Sequence, residues 1–234
     1  MEPAVLILIV VGFVALIGTI AYLQWQAEKK RQSELAAFAA ANGFAFDPGH
    51  DSSHDDRFAQ FEIFRRGHSR IARNTMTGRT RLFDRDCRIV CGDFRYKVTS
   101  SNGKTTQTTT YNFSYLIVHP PWDTPPLLIR PEGFFDKVAG AFGFDDIDFE
   151  SDEFSRKFYV KSPDKRFAYD VLHPRMMEFL LGEQPPMIDI EDRALCLGGG
   201  KKRWSPAEFD RKLEFVRGFC ELWPRHLVRD LDHH

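Results

Sequence analysis

An uninterrupted apolar run near the amino terminus constrains this chain more than any other feature. Ala4 to Leu23 reads AVLILIVVGFVALIGTIAYL and contains no charged side chain. In a helix that rises about 1.5 Å per residue, a run of this length covers about 30 Å, the thickness of the hydrocarbon core of a bilayer. The sequence therefore predicts a transmembrane anchor over residues 1–25, with the rest of the chain on one side of the membrane.

A cleaved signal peptide is the alternative interpretation of the same run. Signal peptides begin with a basic region and carry an apolar stretch of about 7–15 residues. The first three residues here include no Lys or Arg, and the apolar run is longer than that. We therefore expect a retained anchor, with Tyr22 and Trp25 in the aromatic belt of the membrane interface.

The charges that flank the run predict its orientation. Lys29, Lys30 and Arg31 follow it directly, whereas Glu2 is the only charged side chain before it. Since basic residues stay on the cytoplasmic side, we expect the amino terminus outside and the carboxy-terminal domain in the cytosol, at the inner (plasma) membrane of a bacterium. Together with Tyr22 and Trp25, the three basic residues form the predicted membrane interface.

Cysteine usage agrees with a cytosolic domain. The chain has four cysteines in 234 residues, which is too few for a disulfide framework, and their spacing matches no metal motif. We expect reduced, partly buried thiols at Cys87, Cys91, Cys196 and Cys220.

The composition of the remaining chain predicts a globular domain without a strong charge. Leaving out Glu2, 32 acidic side chains face 32 basic ones, so the basic field that nucleic-acid binding needs is missing. Phenylalanine is abundant, with 22 residues available mainly for a core. We expect residues 26–43 to form a juxtamembrane helix or stalk. This helix either carries the domain away from the bilayer or packs onto the domain. Residues 44–234 then form one soluble α+β domain.

Alternating and β-branched segments predict a mainly antiparallel sheet covered by helices. Asn102-Gly103 separates two of these segments and is a strong signal for a β-hairpin. The predicted strands are Ser69–Met76, Asp86–Thr99, Thr106–Val118, Leu127–Ile129, Phe158–Val160, Met187–Ile190 and Ala194–Leu197.

Helical signals surround these strands. Ser205 and Glu208 form a capping box, and Pro206 takes the first position of a long amphipathic helix that ends at Pro224. Asp164 is predicted to cap another helix. A polar loop is expected over Asp47–Arg57 and an edge strand over Asp145–Glu150. The other predicted helices are Asp56–Phe64, Gly133–Gly143, 164–172 and 173–182.

The polar loop contains a dense group of potential metal ligands. Asp47, His50, Asp51 and His54 offer the nitrogen and oxygen atoms that divalent ions accept. No named signature such as HExxH is present. The alternative is a solvated loop whose last acidic residues cap the helix that follows.

A glycine-rich segment precedes the last helix. Gly198–Gly200 leads into Lys201, Lys202, Arg203 and Trp204, but a P-loop would need Ser or Thr directly after the lysine. Contact of these four residues with anionic lipid headgroups is one interpretation. The other is a plain linker that leads into the capped helix.

The second half of the chain resembles a family of uncharacterised bacterial membrane-anchored domains of unknown function. Phe154–Val160, Asp164, Ala168 and Leu172–Leu181 follow its F-x-x-x-F-x-V…D…A-x-x-x-L-x-P-x-x-M-x-x-L pattern, and the similarity covers about residues 125–220. His173 stands where a small polar cap is commoner in that pattern. The resemblance implies a bacterial inner-membrane protein with a cytosolic α+β domain and carries over no site residues.

These observations predict a membrane-anchored, non-enzymatic interaction or regulatory domain that faces the cytosol. Its expected partners are the lipid bilayer and a protein, without nucleic acid and without a cofactor. The alternative hypothesis is a membrane-associated metal-dependent hydrolase that uses the loop at residues 47–56.

Overall fold

The computed structural model describes residues 3–132, 147 and 149–233. These residues form an α+β fold of eight strands and eight helices. The helices are α1 Pro3–Ala41, α2 His54–Arg57, α3 Glu62–Arg65, α4 Asp152–Lys157, α5 Lys165–Val171, α6 Pro174–Glu183, α7 Pro206–Glu221 and α8 Arg225–Asp232. The strands are β1 Ala45–Asp51, β2 His68–Leu82, β3 Arg85–Ser101, β4 Thr106–His119, β5 Leu127–Pro131, β6 Phe158–Lys161, β7 Met187–Glu191 and β8 Ala194–Gly198.

All eight strands join one antiparallel sheet in the order β1-β2-β3-β4-β8-β7-β5-β6. The predicted α+β class and the seven predicted strands are confirmed. Strand β2 extends six residues beyond its predicted carboxy-terminal end, to Leu82, because this part continues to pair with β3. Strand β3 exceeds its predicted bounds by one residue at its start and two at its end.

The hairpin at Asn102-Gly103 joins β3 to β4, as predicted. Its loop has four residues, and Gly103 adopts a positive φ of 81° that glycine tolerates without strain. The Asn102 carboxamide oxygen accepts hydrogen bonds from the backbone amides of Lys104 (3.1 Å) and Thr105 (2.9 Å). The asparagine side chain therefore stabilises the turn locally.

Helices cover both faces of the sheet. The last third of α1, together with α5, α6 and α7, packs on one face, where the cluster includes Met76, Leu116 and Phe209. The segment of α2 and α3 places Phe58, Phe61 and Phe64 on the opposite face, in a cluster that includes Phe94. The two faces follow from strand alternation, since Cys91 and Asp93 point to the α1 face while Phe94 points away.

Helix α1 is continuous from the apolar run into the domain. Of the described residues, only this helix is long and apolar enough to cross a membrane. Leu35 and Ala39 are fully buried, and the ring of Phe38 lies 6.0 Å from that of Phe209. Of the two arrangements expected for the juxtamembrane helix, the structure has it packed onto the domain. It is therefore not a free stalk, because Leu35, Phe38 and Ala39 form an apolar stripe that packs into the core.

The segment after α1 differs from its predicted form. The expected polar loop begins with strand β1, which pairs with β2 and carries a bulge between Asp47 and His50. The expected helix over Asp56–Phe64 is interrupted and forms the short helices α2 and α3. The three phenylalanines at spacing three are all buried on the sheet, and a spacing of three does not match the period of 3.6 residues in one continuous helix.

The carboxy-terminal elements largely follow the sequence. Ser205 and Glu208 form the predicted reciprocal capping box, and the Asp164 carboxylate accepts a hydrogen bond from the Phe167 amide at 3.0 Å. Helix α6 begins at Pro174, but the ring of His173 bonds to the Leu222 carbonyl and not to its own helix. Helices α4 and α8 were not predicted.

The predicted helix over 133–143 lies outside the described residues, as does most of the predicted edge strand over 145–150. Within that strand, the amide of Ile147 donates to the carbonyl of Val160 on β6 at 3.0 Å.

Candidate functional site

Asp93 is a buried carboxylate in the middle of β3 and forms the centre of the most extensive polar network in the described residues. Only 1% of its side chain is exposed. Arg31 on α1 approaches it in a bidentate manner, with Nε 2.7 Å from Oδ2 and Nη2 2.6 Å from Oδ1. This fork geometry is the strongest arrangement that a guanidinium and a carboxylate form. The pair therefore joins the helix that leaves the apolar run to the central strand of the sheet.

The neighbouring strands complete the hydrogen bonding of Asp93. The Ser114 hydroxyl on β4 donates to Oδ1 at 2.7 Å, and the Asn74 amide on β2 donates to Oδ2 at 3.1 Å. Four donors thus match the lone pairs of an ionised carboxylate. Asn74 reaches it from a bulge with a positive φ of 52°, opposite Gly92. A Cβ at Gly92 would lie 3.0 Å from the Asn74 carbonyl oxygen, so glycine leaves room for the bulge.

A second ion pair lies one helical turn nearer the apolar run. Arg203 donates to Glu28 on α1 at 2.8 Å, and the same Asn74 amide donates to Glu28 at 3.0 Å. Burial by itself would raise the pKa of Glu28, but the hydrogen bonds from Arg203 and Asn74 outweigh it and leave that pKa lowered. Glu28 is therefore held ionised beside the sheet.

The glycine-rich segment closes the network from the other side. The Trp204 carbonyl accepts a hydrogen bond from Arg31 at 3.0 Å, and the Trp204 amide donates to the Ser114 hydroxyl at 2.8 Å. Gly199 and Gly200 have φ values of 96° and 86°, which permit the chain to turn sharply into this position. The segment thus belongs to the docking of α1.

The network fixes the position of α1 on the sheet. An α-helix held by apolar contacts alone can slide or rotate, whereas two ion pairs at successive turns define one rotation and one height. Any other position of α1 would leave the buried Asp93 carboxylate without its bidentate partner, so the pair favours this one arrangement. Sequence reasoning missed Asp93, Asn74, Ser114 and Glu28. The available signal was a lone acid after Gly92 within an otherwise apolar strand.

The predicted membrane-interface residues divide into two groups. Tyr22 and Trp25 are exposed with their rings 6.1 Å apart, and the exposed Lys30 lies 3.9 Å from Glu34. Lys29 is also exposed. Arg31 differs from the prediction, because its side chain is only 13% exposed and is bound to Asp93.

The four residues predicted to contact headgroups each contact a different group of the domain. Lys201 lies over the ring of Tyr111, 5.5 Å from its centroid, and Lys202 is bound to Glu208 at 2.6 Å. Arg203 is bound to Glu28, as described above. Trp204 is buried, because its ring packs edge-on against Phe209, so it is not a surface group as expected.

The predicted metal ligands do not converge. Among the described residues, no group of three or more His, Cys, Asp or Glu side chains is placed to hold a metal ion. Asp47 accepts a hydrogen bond from the Gly49 amide, Asp51 forms an ion pair with Arg57, and His50 is exposed on β1. Asp47 and Asp51 line an open groove of about 570 Å³ beside this strand.

His54 is fully buried in an aromatic cluster, although the sequence placed it in a solvated loop. Its ring centroid lies 4.6–4.7 Å from those of Phe58, Phe64 and Tyr115. Burial lowers the pKa of His54 to about 3, which the field of Asp51 offsets only in part. The imidazole is therefore neutral and acts as a core side chain.

Asp189 and Cys196 are cross-strand partners on β7 and β8 with perturbed acidity. Burial, together with Glu191 and Glu62, raises the pKa of Asp189 to about 8. Burial likewise raises the pKa of the Cys196 thiol, with a contribution from Asp189. Both groups therefore favour their protonated forms near neutral pH, which disfavours the thiolate as a nucleophile. The four cysteines are free and buried, in agreement with the prediction of reduced thiols.

The Arg31→Met variant tests the central ion pair. Removing the guanidinium leaves the buried Asp93 carboxylate without its bidentate partner and with Arg203 Nη1, 4.0 Å from Oδ2, as a weaker counter-charge. Breaking such a pair costs about 3–5 kcal/mol of unfolding free energy. We expect this loss in denaturant unfolding of the full chain in detergent, followed by tryptophan fluorescence. Lys30→Met is the matched control and should change stability by less than about 0.5 kcal/mol, since its ion pair is exposed. An Arg31→Met variant as stable as the control would contradict the role of the pair.

His54 predicts a specific acid sensitivity. Its pKa is lower in the folded state than in the unfolded state, so the unfolded chain binds the additional proton below about pH 6.5. Stability is then retained above that pH and falls as the pH decreases towards 3, by about 2 kcal/mol at about pH 5. The free energy of unfolding of the parent, relative to that of His54→Leu, should fall by this amount between about pH 8 and pH 5. His50→Ala, on the exposed strand, is the control and should follow the parent curve.

Comparisons with known proteins bear on the fold. No protein-family model matches the chain, and no curated protein matches it. A solved structure that is similar is the crystal structure of the mycobacterial trehalose monomycolate transport factor A, TtfA. The alignment has a TM-score of 0.52 and 10% identity, and it covers 82% of this chain and 96% of the other. At this identity the similarity shows a shared fold.

Proposed function

We propose that this chain is a membrane-anchored, non-enzymatic accessory protein that presents its α+β domain to a membrane protein partner in a fixed orientation. The observation that carries the proposal is the docking of α1 through Arg31 and Asp93. A tether would need only a flexible connection, whereas this helix continues rigidly from the apolar run into the core of the domain.

The structural neighbour supports the same kind of role. It is named as a transport factor, and the shared fold covers nearly all of its length. We propose that this chain likewise serves a membrane transport assembly as an accessory component. The domain is formally neutral, and its most extensive polar network binds α1. Both observations fit a protein that positions a partner.

The proposed location is the inner membrane of a bacterium, with the amino terminus outside and the domain in the cytosol. Lys29 and Lys30 support this orientation, since both lie exposed just beyond the apolar run. Retention of the anchor is supported by the uninterrupted course of α1 through the junction at Trp25.

Cysteine labelling tests this topology. All four native cysteines are buried, so Ser101→Cys at the exposed tip of the β3–β4 hairpin provides a single reactive thiol. We expect a membrane-impermeant maleimide to label this variant in intact spheroplasts only after permeabilisation. Labelling before permeabilisation, or a mature chain that lacks residues 1–25 by mass, would contradict the proposed topology or the retained anchor.

Helical insertions test the fixed orientation. Each inserted residue turns the helix by about 100° and lengthens it by about 1.5 Å. Two alanines between Trp25 and Gln26 therefore rotate the domain by about 200° relative to the span, whereas four alanines return it to within about 40°. In-cell crosslinking to membrane proteins should lose its parent pattern with two alanines and largely recover it with four.

A chain with a foreign apolar span separates the two possible contacts. Crosslinks that persist with the foreign span belong to the domain, and those that vanish belong to the anchor. If the two-alanine and four-alanine variants give the same crosslinks as the parent, the domain does not need a fixed orientation and the proposal fails.

A further inference from the structure

Two arginines beside the docking network lack partners. Arg73 on β2 and Arg95 on β3 are half-buried, and the Nε atom of each is buried without a hydrogen-bond acceptor. Within the described residues, neither guanidinium forms a hydrogen bond or an ion pair. An unsatisfied buried donor is unfavourable. The Asp93 carboxylate beside the two arginines accepts four hydrogen bonds, while the Asn74 carboxamide oxygen also lacks a partner.

Both side chains lie on the sheet face that carries α1. Arg73 is the backbone partner of Asp93, and Arg95 follows Asp93 by two residues and so points to the same face of β3. The intervening residue Phe94 and the neighbour Ala72 belong to the core on the opposite face.

The two arginines lie beside the turn of α1 that carries Glu28. The Glu28 carboxylate accepts a hydrogen bond from Asn74, the residue after Arg73, and the charges of Glu28 and Arg95 both act on the Arg73 guanidinium. The pair is therefore close to the part of α1 that lies just beyond the apolar run.

The distances place this pair at the depth of lipid headgroups. Glu28 is five residues after Leu23, or about 7.5 Å along the helix beyond the apolar run. Each headgroup layer of a bilayer is about 5–8 Å thick. Arg73 is adjacent in sequence to the residue that Glu28 contacts, and Arg95 is close enough to Arg73 to affect its pKa.

The local charge favours an anion. Four arginines, Arg31, Arg73, Arg95 and Arg203, surround the two carboxylates of Glu28 and Asp93. Burial lowers the pKa of Arg73, and Arg95 and Arg203 lower it further, while Glu28 and Asp93 offset part of this. Two positive charges therefore remain unbalanced beside the headgroup layer, although the soluble part as a whole is formally neutral.

We infer that Arg73 and Arg95 bind the phosphate of an anionic lipid headgroup in the leaflet where α1 enters the domain. The inference rests on the proposed membrane anchoring. Guanidinium forks suit phosphate oxygens, and a phosphate here would accept from the two unsatisfied Nε donors. The site differs from the predicted Lys201–Trp204 segment, which lies against Tyr111, Glu208 and Glu28.

Native mass spectrometry of the full chain tests the site. The protein is purified in detergent with equal amounts of phosphatidylglycerol and phosphatidylcholine, and the lipids retained on the protein are counted. We expect the parent to prefer phosphatidylglycerol, and the Arg73→Gln/Arg95→Gln variant to lose about tenfold in that preference. Arg79→Gln is the matched control, because it is exposed on the same strand six residues away from Arg73 and should retain the parent preference.

Two further arms define the chemistry. Replacement of both arginines by lysine keeps the charge but removes the fork, so we expect only partial recovery; full recovery would overturn the hydrogen-bonded site. Excess inorganic phosphate should leave the bound lipid in place, and displacement of the lipid at ordinary phosphate concentrations would assign the site to a free anion.

Equal retention of the two lipids by the parent, or an unchanged preference in the glutamine variant, would also overturn the inference. Thermal unfolding of each variant identifies any loss caused by misfolding, and the single variants Arg73→Gln and Arg95→Gln then replace the double variant.

Carbonate extraction of native membranes keeps the two proposals apart. If the chain is extracted, the anchoring itself fails. If the chain stays in the membrane but binds both lipids equally, only the lipid site fails.

Discussion

The bidentate pair of Arg31 and Asp93 is the interaction on which the arrangement of this protein depends. A carboxylate that is 1% exposed in the middle of a sheet needs hydrogen-bond donors, and its bidentate donor, Arg31, lies on a helix 62 positions earlier in the chain. Strands β2 and β4 supply the other donors through Asn74 and Ser114. The Asp93 carboxylate therefore has all four of its hydrogen-bond donors only when α1 is in place.

This dependence makes the membrane helix part of the domain. On the domain side of Arg31, Leu35 and Ala39 continue into the apolar core, and on the other side the exposed apolar run begins. The polar network thus lies between two apolar regions of different kinds, one buried by protein and one long enough to be buried by lipid. A rotation of α1 would carry Arg31 away from Asp93 and leave that carboxylate buried without its bidentate partner, which gives the helix one favoured position.

Much of the fold was predictable because its signals are local. Asn102-Gly103 forms the turn, Ser205 and Glu208 form the cap, and the alternation of the long strands gives the sheet. The errors came where tertiary contacts override local pattern. Strand β1 forms from a polar segment because β2 offers it an open edge, and His54 is buried because three aromatic rings surround it. The edge of β2 and the ring of Tyr115 are both distant in sequence from the residues that they contact.

The sequence by itself determined that one segment is long and apolar enough to cross a membrane, that basic residues follow it, and that an antiparallel sheet with capped helices comes after. Composition and short-range periodicity are sufficient for each of these. Only the tertiary structure decided that Arg31 turns inward to Asp93, that Trp204 is buried, and that Arg73 and Arg95 are left without acceptors. The reason is physical: whether a charged side chain is paired depends on which distant strands and loops approach it, and the spacing of residues along the chain does not contain that information.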